Sequence, residues 1–195
     1  MSGQAKIIFV HGASSSGKST LSRGLQSQLP EPFWHISIDH LRDSGVLPTA
    51  RFKSGEFNWK AQRAAFFDGF HRSLAAYASA GNNLIVEHIL DGDGWLEELA
   101  QLLSPFDVFF VGVHCDLAML KQREAARGDR PLGSAEQDFH TIHVGKVYDF
   151  EVRTDSDPKG AVGQVIAAWQ GRSGQSAFVR LADLKHTTAS GQVAD

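Results

Sequence analysis

The chain has 195 residues, 42% of them hydrophobic, and a formal net charge of −3 at pH 7. This suits one α/β domain with a full core, and the weakly acidic balance offers no basic field for duplex nucleic acid. Cys115 is the only cysteine, so no internal disulfide can form. Met1 to Lys6 has no apolar signal core, and no apolar run approaches the roughly 20 residues of a membrane span, so a soluble cytoplasmic protein is expected.

Lys6 to His11 reads as a buried strand. Ser19 to Leu29 reads as a helix, ended by Pro30 and Pro32. Trp34 to Ile38 alternates as a strand and meets Asp39 at its end. Residues 43–57 hold Gly45, Pro48 and Gly55 and read as a loop or broken helix. Asn58 to Ala80 is helical, with Phe66, Phe70 and Leu74 on one stripe, and Gly81-Asn82-Asn83 stops it. Leu84 to Glu87 is a third strand ending in an acid. Trp95 to Leu103 is a short helix and Asp107 to His114 an apolar fourth strand. Leu117 to Arg127 is a helix with basic residues at its end, followed by a Gly-rich loop and a helix from Ala135 to Val144. Tyr148 to Arg153 is a fifth strand, and a helix from Pro158 or Lys159 runs to Trp169. The tail after Gly171 turns polar. Phe178, Val179, Leu181 and Leu184 could dock, and the last ten residues look frayed.

Five strands alternating with helices predict a three-layer fold, a parallel sheet covered on both faces, with ligands beyond the strands' carboxyl ends. The expected division is a kinase domain over 1–171, with a lid at about 123–145, and a polar extension over 172–195.

Between the first strand and first helix stands Gly12-Ala13-Ser14-Ser15-Ser16-Gly17-Lys18-Ser19, continuing into Thr20. Gly, four residues, then Gly-Lys-Ser is the phosphate-binding P-loop spacing in its strand–loop–helix context. Gly12 is expected to allow a sharp turn and Gly17 a close approach to an anion. The amides between them form a nest at the positive end of the new helix. Lys18 meets the β- and γ-phosphates, and Ser19 offers a hydroxyl to Mg²⁺. ATP and Mg²⁺ are therefore the expected ligands.

No Asn/Thr-Lys-x-Asp guanine-reading motif is present, which argues against a GTPase. The Ser-Gly-Gly signature of an ABC ATPase is absent too. An insert after the second strand and the arginines Arg123, Arg127 and Arg130 suit a small kinase whose guanidinium groups close on the transferring phosphoryl group. Asp39 is placed to orient an acceptor hydroxyl and accept its proton late; the rival role is a helix N-cap. Glu87 stands where a Walker-B acid would, to hold Mg²⁺ through water or to touch substrate. His140 and His143 lack the partners of a metal site. Phe52, Phe57 and Trp59 are candidates for an apolar acceptor pocket.

These stretches resemble the chloramphenicol phosphotransferase family. The carriers are the P-loop, Leu25-Gln26-Ser27 with Leu29-Pro30-Glu31-Pro32, Ile38-Asp39, Val111-Gly112-Val113-His114-Cys115-Asp116, Arg123-Glu124-Ala125-Ala126-Arg127-Gly128-Asp129-Arg130, and His143-Val144-Gly145 with Tyr148-Asp149. The resemblance implies ATP-dependent phosphorylation of a small-molecule hydroxyl, on an antibiotic or a metabolite, with Asp39 as base and Arg127 and Arg130 on the phosphates. The third strand ends Val86-Glu87-His88 where the family carries paired aspartates. A nucleotide or sugar-nucleotide kinase and a non-catalytic nucleotide-binding regulator remain the alternatives. The oligomeric state has no signature in the sequence.

Overall fold

Ile7-Ile8-Phe9-Val10 is apolar throughout because the strand that contains it is covered on both faces. The computed structural model describes residues 4–127 and 133–190. Its elements in chain order are β1 (Lys6–Gly12), α1 (Lys18–Gln28), β2 (Phe33–Ser37), α2 (Ile38–Asp43), α3 (Thr49–Lys53), α4 (Trp59–Ser79), β3 (Asn83–Glu87), α5 (Trp95–Leu103), β4 (Asp107–His114), α6 (Leu117–Arg127), α7 (Ser134–Thr141), β5 (Phe150–Arg153), α8 (Pro158–Gly171) and α9 (Ala177–Ser190).

The strands form one five-stranded parallel sheet in the order β2-β3-β1-β4-β5. The side-chain period of two splits β1 between two cores. Ile7 and Phe9 face Phe70, Leu74, Leu99, Leu103 and Phe178, from α4, α5 and α9. Ile8 and Val10 face Leu21 and Leu25 of α1 and Val162, Val165 and Trp169 of α8. A third, smaller cluster joins Ala13 of the P-loop to Leu120 of α6 and to Ala135 and Ile142 at the two ends of α7.

The register aligns the carboxyl ends. Val10 and Ser37 both lie opposite Glu87, and Gly12 lies opposite Val113. The P-loop, the start of α2 and the end of β3 therefore share one edge of the sheet, where ligands of open parallel sheets bind.

Residues 43–57, read as a loop or broken helix, hold a short helix, α3. Two segments differ from the sequence reading. Asp39 sits in the first turn of α2 rather than at a strand end, because the Ser37 hydroxyl accepts the Asp39 amide and starts the helix there. In the polar tail, Ala177–Ser190 forms α9: Phe178 is fully buried between Phe9 and Phe110, while Leu184 remains exposed. Among the described residues, no helix is long and apolar enough to cross a membrane.

Candidate active site

The P-loop leaves β1 at Gly12. A Cβ on Gly12 would stand 2.3 Å from the Val113 carbonyl oxygen, so this glycine is required by close contact with β4, inside the strand, and not by a sharp turn. Ser15 has φ 63° and Gly17 φ 91°, the left-handed geometry that turns successive amides inward. Ser15 is costly in that geometry, and the loop is braced around it. Arg123 on α6 donates to the Thr154 carbonyl at 2.8 Å and reaches the Ser15 carbonyl and Cys115 Sγ at 3.5 Å. Thr154, just after β5, donates its hydroxyl to the Ser16 carbonyl at 2.5 Å. Arg123, expected to meet the nucleotide, thus lines the cleft and also holds the P-loop from behind. Cys115 is buried, and burial pushes its thiol up from the ordinary range.

Lys18 is buried and donates to the carbonyls of Gly12 at 2.9 Å and Ala13 at 2.6 Å. Ser19 and Glu87, 68 positions apart, meet directly: the Ser19 hydroxyl donates to Glu87 Oε1 at 2.6 Å. Glu87 Oε2 lies 3.0 Å from His35 Nε2. Burial works against the Glu87 carboxylate, but the His35 hydrogen bond, the Lys18 charge and the Ser19 hydroxyl overcome it and hold its pKa below the usual value. A charged carboxylate beside a hydroxyl is a donor set suited to a hard, oxygen-seeking cation.

Asp39 lines the same cleft and pairs with Arg42 at 3.2 Å, three residues on along α2. Since Ser37 caps α2, Asp39 is not its N-cap. The cleft has a volume of about 1310 Å³, more than one small ligand fills. Ser14, Ser15, Gly17, Lys18, Ser19 and Thr20 line one part of it, whereas Gly12, Ala13 and Ser16 do not line it. Asp91, Asp93, Glu97 and Lys146 line another part, so that wall is charged. Phe52, Phe57 and Trp59 do not line it. Their rings pack on one another, Phe52 lying 6.0 Å from Phe57 and 5.3 Å from Trp59. The Arg127 side chain and all of Arg130 lie outside the described residues.

Four contacts had no warning in the sequence. Asp138 on α7 accepts the Ser14 amide at 2.8 Å. Glu124 on α6 accepts the amides of Gly133 and Ala135, both at 2.9 Å, and so fixes the start of α7. His35 supports Glu87, as described. His11, fully buried, accepts the Leu90 amide on Nδ1 at 3.2 Å, and its Nε2 donates to the Ile142 carbonyl at 3.0 Å. Burial, opposed by the Ile142 bond and reinforced by Lys146 and Lys18, lowers the His11 pKa to about 3, which keeps the ring neutral. One local signal existed: Arg42 follows Asp39 at helical spacing.

A phosphate loop between β1 and α1 of a five-stranded parallel sheet, with acids at neighbouring strand ends, defines a P-loop kinase fold. Solved structures agree. The APS kinase of Mycobacterium tuberculosis superposes with a TM-score of 0.64 at 17% identity, over 86% of this chain and 99% of that one. A gluconokinase from Sinorhizobium meliloti gives 0.60 at 17%, over 95% and 97%, and the shikimate kinase of Aquifex aeolicus 0.55 at 18%, over 85% and 96%. At such identities the likeness is one of fold. The chain matches the chloramphenicol phosphotransferase-like family over residues 5–170 and belongs to it. A Mycobacterium tuberculosis protein inferred to be an O-phosphotransferase is 28% identical over 174 residues, 80% of this chain and 77% of that one. The protein is a nucleotide-binding kinase of the P-loop class.

Proposed function

We propose that the protein transfers the γ-phosphoryl group of ATP to a hydroxyl of a small molecule, with Asp39 as the base. The observation that carries this reading is the sharing of one cleft by Lys18, Ser19 and Asp39. The acceptor oxygen forms its bond to the γ-phosphorus as the bond from that phosphorus to the β-bridging oxygen breaks, and ADP leaves. The proton passes from the acceptor to the Asp39 carboxylate. An alcohol is far weaker as an acid than a carboxylic acid, so the transfer comes late, and Asp39 first orients the hydroxyl. Arg42 holds Asp39 in place.

Ser19 and Glu87 would hold Mg²⁺, which neutralises charge on the β- and γ-oxygens. Lys18 and the amides of the loop bind the phosphates, and Arg123 keeps that loop in shape. Arg127 and Arg130 are assigned to the transferring phosphoryl group on the strength of the family resemblance. The acceptor is an antibiotic of the chloramphenicol kind or a metabolite; the charged wall of Asp91, Asp93, Glu97 and Lys146 favours a polar metabolite. Transfer from γ-labelled ATP across a panel of hydroxylated antibiotics and metabolites tests the reading. A labelled phosphomonoester supports it, and labelled ATP bound but never transferred contradicts it.

A further inference from the structure

We propose that Lys146 binds an anionic group on the acceptor, so that the substrate is a hydroxylated acid, either a carboxylate or a phosphate ester. The inference rests on the kinase reading above and deepens it.

The charged groups that line the cleft are unevenly partnered. Three acids that line the cleft are matched by protein groups: Asp39 by Arg42 at 3.2 Å, Glu87 by His35 at 3.0 Å, and Asp91 by Arg63 at 3.1 Å. Lys146 lines the same cleft and is partly buried, yet among the described residues its ammonium has no hydrogen bond and no ion pair within 4 Å, and Glu97 acts on it only through its charge. A partly desolvated ammonium is costly unless an anion meets it.

The turn that carries Lys146 is built to hold a fixed position. Its amide donates to the His143 carbonyl at 3.2 Å, and Val144 donates to Thr141 at 3.2 Å. His143 Nδ1 lies 2.7 Å from the Tyr148 hydroxyl, and its ring stacks on His114 at 4.0 Å between centroids. His11 holds the Ile142 carbonyl from beneath. A lysine on such a turn is presented to the cleft with part of its positioning cost already met.

The charged neighbour of Lys146, Glu97, belongs to the wall that follows β3. Burial lowers the Lys146 pKa, and Glu97 on α5 opposes the shift. Glu97 shares that wall with Asp91 and Asp93, and sits in the first turn of its helix, where a carboxylate is favoured without a cation.

The test uses the full chain saturated with Mg²⁺ and a non-hydrolysable ATP analogue, so that the phosphate loop is filled. Calorimetry measures binding of hydroxylated acids beside neutral counterparts of the same carbon skeleton, such as gluconate with glucitol and glycerate with glycerol, and of sugar phosphates beside the free sugars. At least one acid should bind about 10-fold or more tightly than its neutral partner. Lys146→Met should remove that preference, Lys146→Arg should retain most of it, and the affinity for the ATP analogue should change little. Equal binding of acids and neutrals, or no acid binding at all, overturns the proposal. Loss of ATP-analogue affinity in Lys146→Met also overturns it, by giving the lysine to the nucleotide. Transfer to neutral alcohols by a fully active Lys146→Met would defeat this inference and leave the kinase reading standing. An acid preference lost in Lys146→Met, with no phosphoryl transfer to any compound, would do the reverse.

Discussion

The Ser19 hydroxyl donates to Glu87 Oε1 at 2.6 Å, across the seam between the P-loop and β3. If this pair holds Mg²⁺, Glu87→Gln should raise the Mg²⁺ concentration for half-maximal turnover by about 10- to 100-fold. Titration of activity against Mg²⁺ at saturating ATP measures it. An unchanged Mg²⁺ requirement with a raised acceptor KM would instead assign Glu87 to the substrate.

Asp138 holds the Ser14 amide at 2.8 Å, within the loop that is to receive phosphate. Two anions beside one amide repel, so Asp138→Asn should tighten ATP binding several-fold, on the scale of about 1 kcal/mol for one charge near a surface. Fluorescence titration with a labelled ATP analogue measures it. Weaker binding in the variant would mean that Asp138 supports the nucleotide.

Burial lowers the pKa of His11 to about 3 and those of His71 and His143 to about 4, from an unfolded value of 6.5. Between pH 6.5 and about 4 the unfolded chain binds protons that the fold refuses. Stability is therefore lost as pH falls through that window, by about 1.4 kcal/mol per pH unit for each of the buried His11 and His71 and by less for the partly exposed His143. Urea unfolding at pH 7, 6 and 5 should show the decline. His11→Asn should reduce proton uptake on unfolding by about one; an unchanged slope would show that His11 is not held neutral.

Phe178 is fully buried between Phe9 and Phe110, so Phe178→Ala should cost about 3–5 kcal/mol in denaturant unfolding. A loss under about 1 kcal/mol would make α9 peripheral.

The P-loop was legible because its chemistry is local: the glycines, lysine and serine follow one another in fixed order. The strands β1, β3 and β4 were legible because burial on both faces leaves apolar runs, and the edge strand β2 by its alternation. Asp39 and Glu87 could be picked out as acids at the ends of such runs. What escaped depends on partners far away in sequence. Asp138 and Ser14 are 124 positions apart, and nothing near Asp138 announces a P-loop contact. Gly12 reads as a turn residue until β4 lies beside it with the Val113 carbonyl in contact. Among its described side chains, α9 buries Ala177, Phe178 and Ala182, a stripe too narrow to register in a polar tail. The aromatics Phe52, Phe57 and Trp59 suggested a pocket, but rings that pack on one another leave no pocket between them.

If Asp39 is the base, it serves phosphoryl transfer and not nucleotide binding. Asp39→Asn keeps the shape of the side chain and removes the proton acceptor. The decisive measurement is single-turnover transfer to the acceptor at saturating ATP, with ATP affinity titrated in parallel. With Asp39 as the base, ATP affinity changes little while transfer falls by roughly 10²- to 10⁴-fold. Transfer near the wild-type rate would contradict that role and remove Asp39 from the mechanism.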